Sequence, residues 1–209
     1  MKKTIVMFDF DKTLTDKDSI ILLWQYAFKK KKTNIFVFIA KMIKGFFKYI
    51  FSGMNFLMIK NELCSCLKYF NEIELEEFVD FVYNNHILKD GVNYYNNIDK
   101  NSYRMLVSAS PVNYLVYLKK YFDFDVIIGT DLNSDYKVVG KNNKSSEKVR
   151  RIRNNLREND LSIDYEKSMA FSDSYKDDLP MLLLAKNRYL INSDVKKRGF
   201  NYLNWKWAD

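Results

Sequence analysis

Residues 4–8, Thr-Ile-Val-Met-Phe, form an unbroken β-prone apolar run. It reads as a strand buried on both faces, the kind that a parallel sheet holds. Similar short runs recur at 103–107, 126–128, 169–171 and 189–191, with helical periodicity at 113–121, 145–157 and 178–185 between them. Strands alternating with helices predict an α/β domain on a parallel sheet. One stretch breaks the alternation. Residues 18–90 are helical in pattern throughout and lack strand punctuation. The predicted organisation is therefore a core of residues 1–17 and 91–209, with residues 18–90 as a helical unit inserted after the first strand.

The insert has its own patterning. No Asp or Glu occurs between Ser19 and Asn61, whereas Lys29 to Lys32, Lys41, Lys44, Lys48 and Lys60 are interleaved with Trp24, Phe28, Phe36, Phe38, Phe46, Phe47, Phe51 and Phe56. On a helix, Lys41, Lys44 and Lys48 share one narrow face and leave a wide apolar remainder. That pattern suits a small helical bundle with a solvated lysine edge, and it also suits a surface that meets anionic lipid. No uncharged apolar run reaches the ~18 residues of a spanning helix.

The 209 residues suffice for one full core plus an inserted sub-domain. With 47% hydrophobic and 29% charged residues the chain is expected to fold. Its formal charge of +8 attracts anions. Phosphorylated metabolites, lipids and nucleic acid all qualify, but no nucleic-acid reading motif accompanies the charge. Cys64 and Cys66, two residues apart on a predicted helix, point to different faces and give no disulfide framework. Met1-Lys2-Lys3 leads directly into the first short strand, unlike a secretory signal. The expectation is a cytoplasmic protein, with membrane association at the inner surface left open by the insert.

Four constellations carry candidate chemistry. Asp9-Phe10-Asp11-Lys12-Thr13 directly follows the first strand, at the end where parallel sheets bind ligands. Two carboxylates that close favour a neutralising cation, and oxygen-only ligands favour Mg²⁺. One can serve as nucleophile and the other as general acid and base. Ser172-Asp173-Ser174-Tyr175-Lys176-Asp177-Asp178 follows the strand 169–171. Asp177 and Asp178 also suit a helix start, where acids meet the dipole, whereas Asp173 is the first acid after the strand. Ser108-Ala109-Ser110 follows another strand and reads either as a phosphate cradle at a helix start or as an ordinary cap ahead of Pro111. Lys148 lies early in the predicted helix 145–157. His86, the sole histidine, is assigned no chemical role.

Taken in order, these four resemble the motifs of the haloacid dehalogenase superfamily of phosphatases. The likeness spans nearly the whole chain. The insert resembles the helical cap of the C1 type in subfamily IB, the branch of phosphoserine phosphatases and phosphatidylglycerophosphatase C-like proteins. The resemblance implies a Rossmann-like core and a Mg²⁺-dependent phosphomonoester hydrolase. Asp9 would be the phosphorylated nucleophile and Asp11 the acid and base. Thr13, Ser108 and Ala109 would lie against the phosphate, and Lys148 would steady its charge. Mg²⁺ would sit between Asp9, the main-chain carbonyl of Asp11, and Asp173. The second acid of the last motif is Asp177 or Asp178, and four-residue spacing from Asp173 favours Asp177. Asp18 stands near the place where phosphoserine phosphatases carry a Glu. The implied partner is a phosphorylated small molecule or a lipid phosphate. A phosphotransferase on the same scaffold and a non-enzymatic anion-binding protein are the alternatives.

Overall fold

A computed structural model describes residues 1–207. The chain begins with the short strand β1 (Lys2–Lys3) and then β2 (Ile5–Phe8). Five helices follow: α1 (Ser19–Lys29), α2 (Ile35–Phe51), α3 (Leu57–Cys64), α4 (Glu72–His86) and α5 (Lys89–Asn96). The alternation then resumes with β3 (Tyr103–Pro111), α6 (Val112–Leu115), β4 (Val126–Thr130), α7 (Ser146–Glu158), β5 (Ser162–Ile163) and β6 (Met169–Ser172). The last elements are α8 (Tyr175–Leu182), β7 (Asn187–Ile191) and β8 (Asn201–Leu203).

Six strands form one parallel sheet in the order β4-β3-β2-β6-β7-β8, and β1 pairs separately with β5. β2 is central and buried along its whole length, as its uniform apolar run requires. Side chains alternate between two cores. Val6, Phe8, Leu106, Phe171 and Ile191 face the layer containing α1 and α4. Ile5, Met7, Met105, Val107, Ala170 and Leu190 face the layer containing α7 and α8. On the first face, Phe8, Phe171 and Tyr189 stack in a ladder across three strands, with centroids 4.5 and 4.6 Å apart. Because β3 lies on one side of β2 and β6 on the other, the chain changes direction at β2. That is the switch point at which such sheets bind ligands.

The helices between β2 and β3 carry a buried stripe. Leu22, Leu23, Trp24, Phe78 and Val82 join the same cluster as Phe8 and Leu106. α4 starts with a reciprocal cap in which Asn71 and Glu74 each bond the other's backbone N–H. The lysine face of α2 is not the free edge its sequence suggests. Lys41, Lys44 and Lys48 converge on Glu62 of α3 at 3.4, 3.6 and 2.9 Å. Lys30 and Lys32 pair with Glu77 and Glu74 of α4. Acids remote in sequence thus offset part of the local excess. The thiols of Cys64 and Cys66 are free and buried, and burial raises both pKa values.

Gly129 in β4 meets the chain where β3 turns into α6. A Cβ added there would lie 2.7 Å from the Val112 nitrogen and 2.9 Å from the Ser110 carbonyl oxygen. Both are backbone atoms that have little freedom to retreat. Gly129→Ala is expected to destabilise the fold by about 1–3 kcal/mol, read as a lower urea midpoint with an unchanged slope. An unchanged midpoint would show that this junction is loosely packed.

Candidate active site

The acids and hydroxyls collect at the carboxyl ends of β2, β3 and β6. The Asp9 N–H donates to the Phe171 carbonyl at 3.0 Å, extending the β2–β6 ladder by one residue. The next residues wrap tightly, with the N–H groups of Thr13, Leu14 and Thr15 all aimed at the Phe10 carbonyl. Lys12 takes a left-handed conformation, φ 58°, to permit this. The turn carries the Thr13 hydroxyl back to Asp9 Oδ2, to which it donates at 3.2 Å, while accepting the Asp173 N–H at 2.9 Å. Thr13 therefore ties the β2 turn to the β6 turn.

Lys148, in the first turn of α7, is buried and reaches both sides of the site. Its Nζ donates to Asp9 Oδ1 at 2.6 Å and to Asp178 Oδ2 at 2.8 Å. Ser172 Oγ also donates to Asp178 Oδ2 and accepts the Ser174 N–H. Burial works against the Lys148 ammonium, but Asp9 and Asp178 carry its pKa above the ordinary lysine range. Burial pushes Asp9 up to about 8, with Lys148 pulling the other way. Burial, reinforced by Asp178, pushes Asp173 up to about 6. One ammonium thus bridges two carboxylates, with a third, Asp173, nearby.

Those donors fit a small hard cation. Among the described residues the Asp173 carboxylate has no hydrogen-bond or ion-pair partner from another side chain. No three acidic, histidine or cysteine side chains group as ligands among the described residues, so main-chain oxygen and water would complete an oxygen shell, as suits Mg²⁺.

Asp11 sits apart from this cluster. The Ser19 N–H donates to its Oδ1 at 2.6 Å, and Ser110 Oγ donates to its Oδ2 at 2.5 Å. The Ser19 hydroxyl lies 2.9 Å from Ser110 Oγ and 2.8 Å from the Tyr114 hydroxyl. Burial raises the Tyr114 phenol well above its ordinary range, with Asp11 adding to the effect. The Asp11 carboxylate therefore meets the N-terminus of α1 through the Ser19 N–H and is held by the Ser110 hydroxyl, which the Ser19 hydroxyl links to Tyr114.

Two sequence expectations change. The spacing rule favours Asp177, but α8 begins only at Tyr175, so Asp173 is outside the helix and four-residue spacing does not apply. Asp178 is the acid brought to Lys148, whereas Asp177 is only part-buried and pairs with Lys144 at 2.9 Å. Ser108 to Ser110 do not start a helix either. They lie in β3, across an irregularity in its pairing with β4, and α6 starts after Pro111. Ser108 is fully buried and its Oγ accepts the Ser110 N–H at 3.0 Å. The Ala109 carbonyl accepts from Thr130 Oγ1. The buried side chain of Asn143 donates to the Ser108 and Ile128 carbonyls, pinning this segment. Asp18 pairs with Lys12 at 2.6 Å, and His86 Nδ1 lies 2.8 Å from Asp16.

Ser19, Tyr114 and Asn143 carry no usable signal in the sequence, and Ser172, though within the last constellation, is assigned no role of its own there. Common residue types at single positions become readable only when the strand ends are assembled.

A model of the haloacid dehalogenase-like hydrolases matches residues 6–183. No curated protein matches the chain. Among solved structures, a protein of unknown function from Bordetella pertussis Tohama I superposes with a TM-score of 0.78 at 16% identity, covering 98% of this chain and 99% of that one. A phospho-aspartyl intermediate analogue of phosphoserine phosphatase gives 0.58 at 17% identity over 92% and 88%. A magnesium-bound HAD-hydrolase from Bacillus subtilis gives 0.55 at 13% identity over 97% and 95%. At these identities the likeness is one of fold.

The two neighbouring acids of α8 should behave differently. Asp178→Ala removes one partner of a buried ammonium and is expected to cost about 1–3 kcal/mol. Asp177→Ala, losing an exposed pair, should cost less than about 1 kcal/mol. Chemical denaturation of both variants checks this, and equal costs would contradict the placement of Asp178.

Proposed function

The chain belongs to the haloacid dehalogenase-like hydrolases, and from that membership we propose that it is a phosphomonoester hydrolase working through a phosphorylated Asp9. The observation that carries this reading is the grip on Asp9: Lys148 on one carboxylate oxygen and Thr13 on the other, at the switch point of the sheet. A nucleophile needs such fixed orientation, and the buried ammonium beside it answers negative charge that builds up on a phosphoryl group.

In the first step an Asp9 oxygen bonds to phosphorus and the bond from phosphorus to the leaving oxygen breaks. Asp11 gives that oxygen a proton. In the second step water gives a proton to Asp11 and bonds to phosphorus, the acyl-phosphate bond breaks, and Asp9 returns as a carboxylate. The Ser19 N–H and the Ser110 hydroxyl position Asp11 for both transfers. In this reading Ser108, the Ala109 N–H and the Thr13 hydroxyl would meet phosphate oxygens, the Thr13 hydroxyl by exchanging its present bonds to Asp9 and the Asp173 N–H. Asp9, Asp173 and the Asp11 carbonyl would hold Mg²⁺, which when bound polarises the phosphoryl group as a Lewis acid. The substrate class is a phosphomonoester, either a small metabolite or a lipid phosphate. The anionic group suits a chain of formal charge +8.

A phosphomonoester screen that includes phosphoserine and lipid phosphates in detergent should reveal turnover that EDTA removes and Mg²⁺ restores. Asp9→Asn should lower it by roughly three orders of magnitude or more. Near-normal turnover by that variant, or full activity without metal, would overturn the reading. Proton linkage gives a second readout. Both acids have folded pKa values raised above the unfolded ones, so in the metal-free protein their contribution to stability falls as pH rises through the window from about 4 to about 8. Protons compete with metal in that window, so the rise in melting temperature caused by Mg²⁺ should grow from about pH 5 to about pH 8. A pH-independent rise would place the metal elsewhere.

A further inference from the structure

α2 reverses the usual arrangement of a surface helix. Of its 17 residues only Gly45 is fully buried, where it approaches Ile59 and Glu62 of α3. The outward side is apolar: Phe36 is 78% exposed and Phe51 85%, and Ile39, Ile43, Phe47 and Ile50 are each about half exposed. At 100° per residue, Phe36, Ile39, Ile43, Phe47 and Ile50 share one stripe along the helix. Met54 and Phe56, in the turn that follows, continue the patch and are 70% and 68% exposed. A soluble surface rarely carries a contiguous apolar stripe of this extent without an occupant.

We propose that α2 is an in-plane membrane helix, which seats this stripe in the interfacial layer of an anionic bilayer. Charge selects the occupant. Lys41, Lys44 and Lys48 run beside the stripe and share the single carboxylate of Glu62, so three lysines against one glutamate leave two positive charges along its edge. Lys31, in the loop leading to α2, is exposed and makes no ion pair among the described residues. A second copy docked face to face would bring these like-charged edges together, which disfavours it. Anionic headgroups beside an apolar acyl layer match both features of the helix. Among the described residues no helix is long and apolar enough to cross a membrane, so α2 lies on the bilayer rather than through it. The inference stands on exposure and charge and does not depend on the phosphatase reading.

Vesicle flotation tests it without measuring activity. The intact protein should float with vesicles of phosphatidylglycerol and phosphatidylcholine, float less as salt rises, and remain largely unbound with phosphatidylcholine alone. Replacing Phe36, Phe47 and Phe51 together by Ser should lower partitioning about tenfold or more, with an unchanged circular dichroism spectrum. Should that triple variant fail to fold, Phe51→Asp at the exposed helix end serves the same purpose and should also reduce binding. Wild type that ignores anionic vesicles, or a folded variant that floats as well as wild type, would overturn the proposal. Equal floating with phosphatidylcholine alone would also overturn it, because charge would then not select the surface. Sedimentation that shows wild-type dimers lost in the variant, with no vesicle binding, would assign the stripe to a second copy instead.

Discussion

The arrangement at the strand ends depends on one buried ammonium. Lys148 is 2% exposed and holds Asp9 and Asp178 at once. Removing it would leave carboxylates facing each other in a space that water barely reaches, and breaking a buried pair by deleting one partner is strongly destabilising. Its position is in turn fixed by the start of α7. Arg151, one turn further along, donates to the carbonyls of Gly129 and Lys141 and pairs with Asp131, binding the helix to the end of β4. Glu147 accepts from Arg150 and Arg151, which hold its carboxyl down at about 2 despite burial. The β4 edge, the first turn of α7 and the central strand are therefore mechanically linked. At the site the charges run acid–base–acid, from Asp9 through Lys148 to Asp178.

Much of this was legible in the sequence because it rests on period and position. A run such as Ile5 to Phe8, apolar at every residue, has few homes other than the middle of a parallel sheet, and the acids after it mark a strand end. What escaped was set by contacts between remote segments. Asp177 and Asp178 are adjacent, and only the start of α8 at Tyr175 decides which of them turns inward. β8 is a short edge strand with no fully buried side chain, so Asn201 to Leu203 lack the apolar run that marked its neighbours. The partial offset of Lys41, Lys44 and Lys48 needed Glu62 from the next helix. The amphipathic pattern of α2 shows two faces but not which one looks outward, because that depends on where α3 packs.

The chain joins two surfaces of opposite character. The site at the switch point concentrates carboxylates that need cations, whereas α2 presents an apolar stripe edged by lysines. The helices between β2 and β3 share one core with the sheet, so the structure that orients Asp11 through Ser19 also carries α2 on its outer side. Ser19 is the first residue of α1, and its N–H reaches Asp11 while its hydroxyl reaches Ser110 and Tyr114. This couples the placement of the proposed acid and base to the docking of the helical insert on β3 and α6.

The central claim is that Asp9 carries the phosphoryl group, and acid-quenched trapping tests it most directly. Protein turned over with a reactive phosphomonoester in Mg²⁺, quenched in acid and mapped by peptide mass spectrometry should carry a single phosphate on the peptide containing Asp9. The mark should be labile to hydroxylamine, as an acyl phosphate is, and absent from Asp9→Asn. A stable phosphate on Ser108 or Ser110, or turnover with no phosphorylated enzyme at any quench time, would contradict the account.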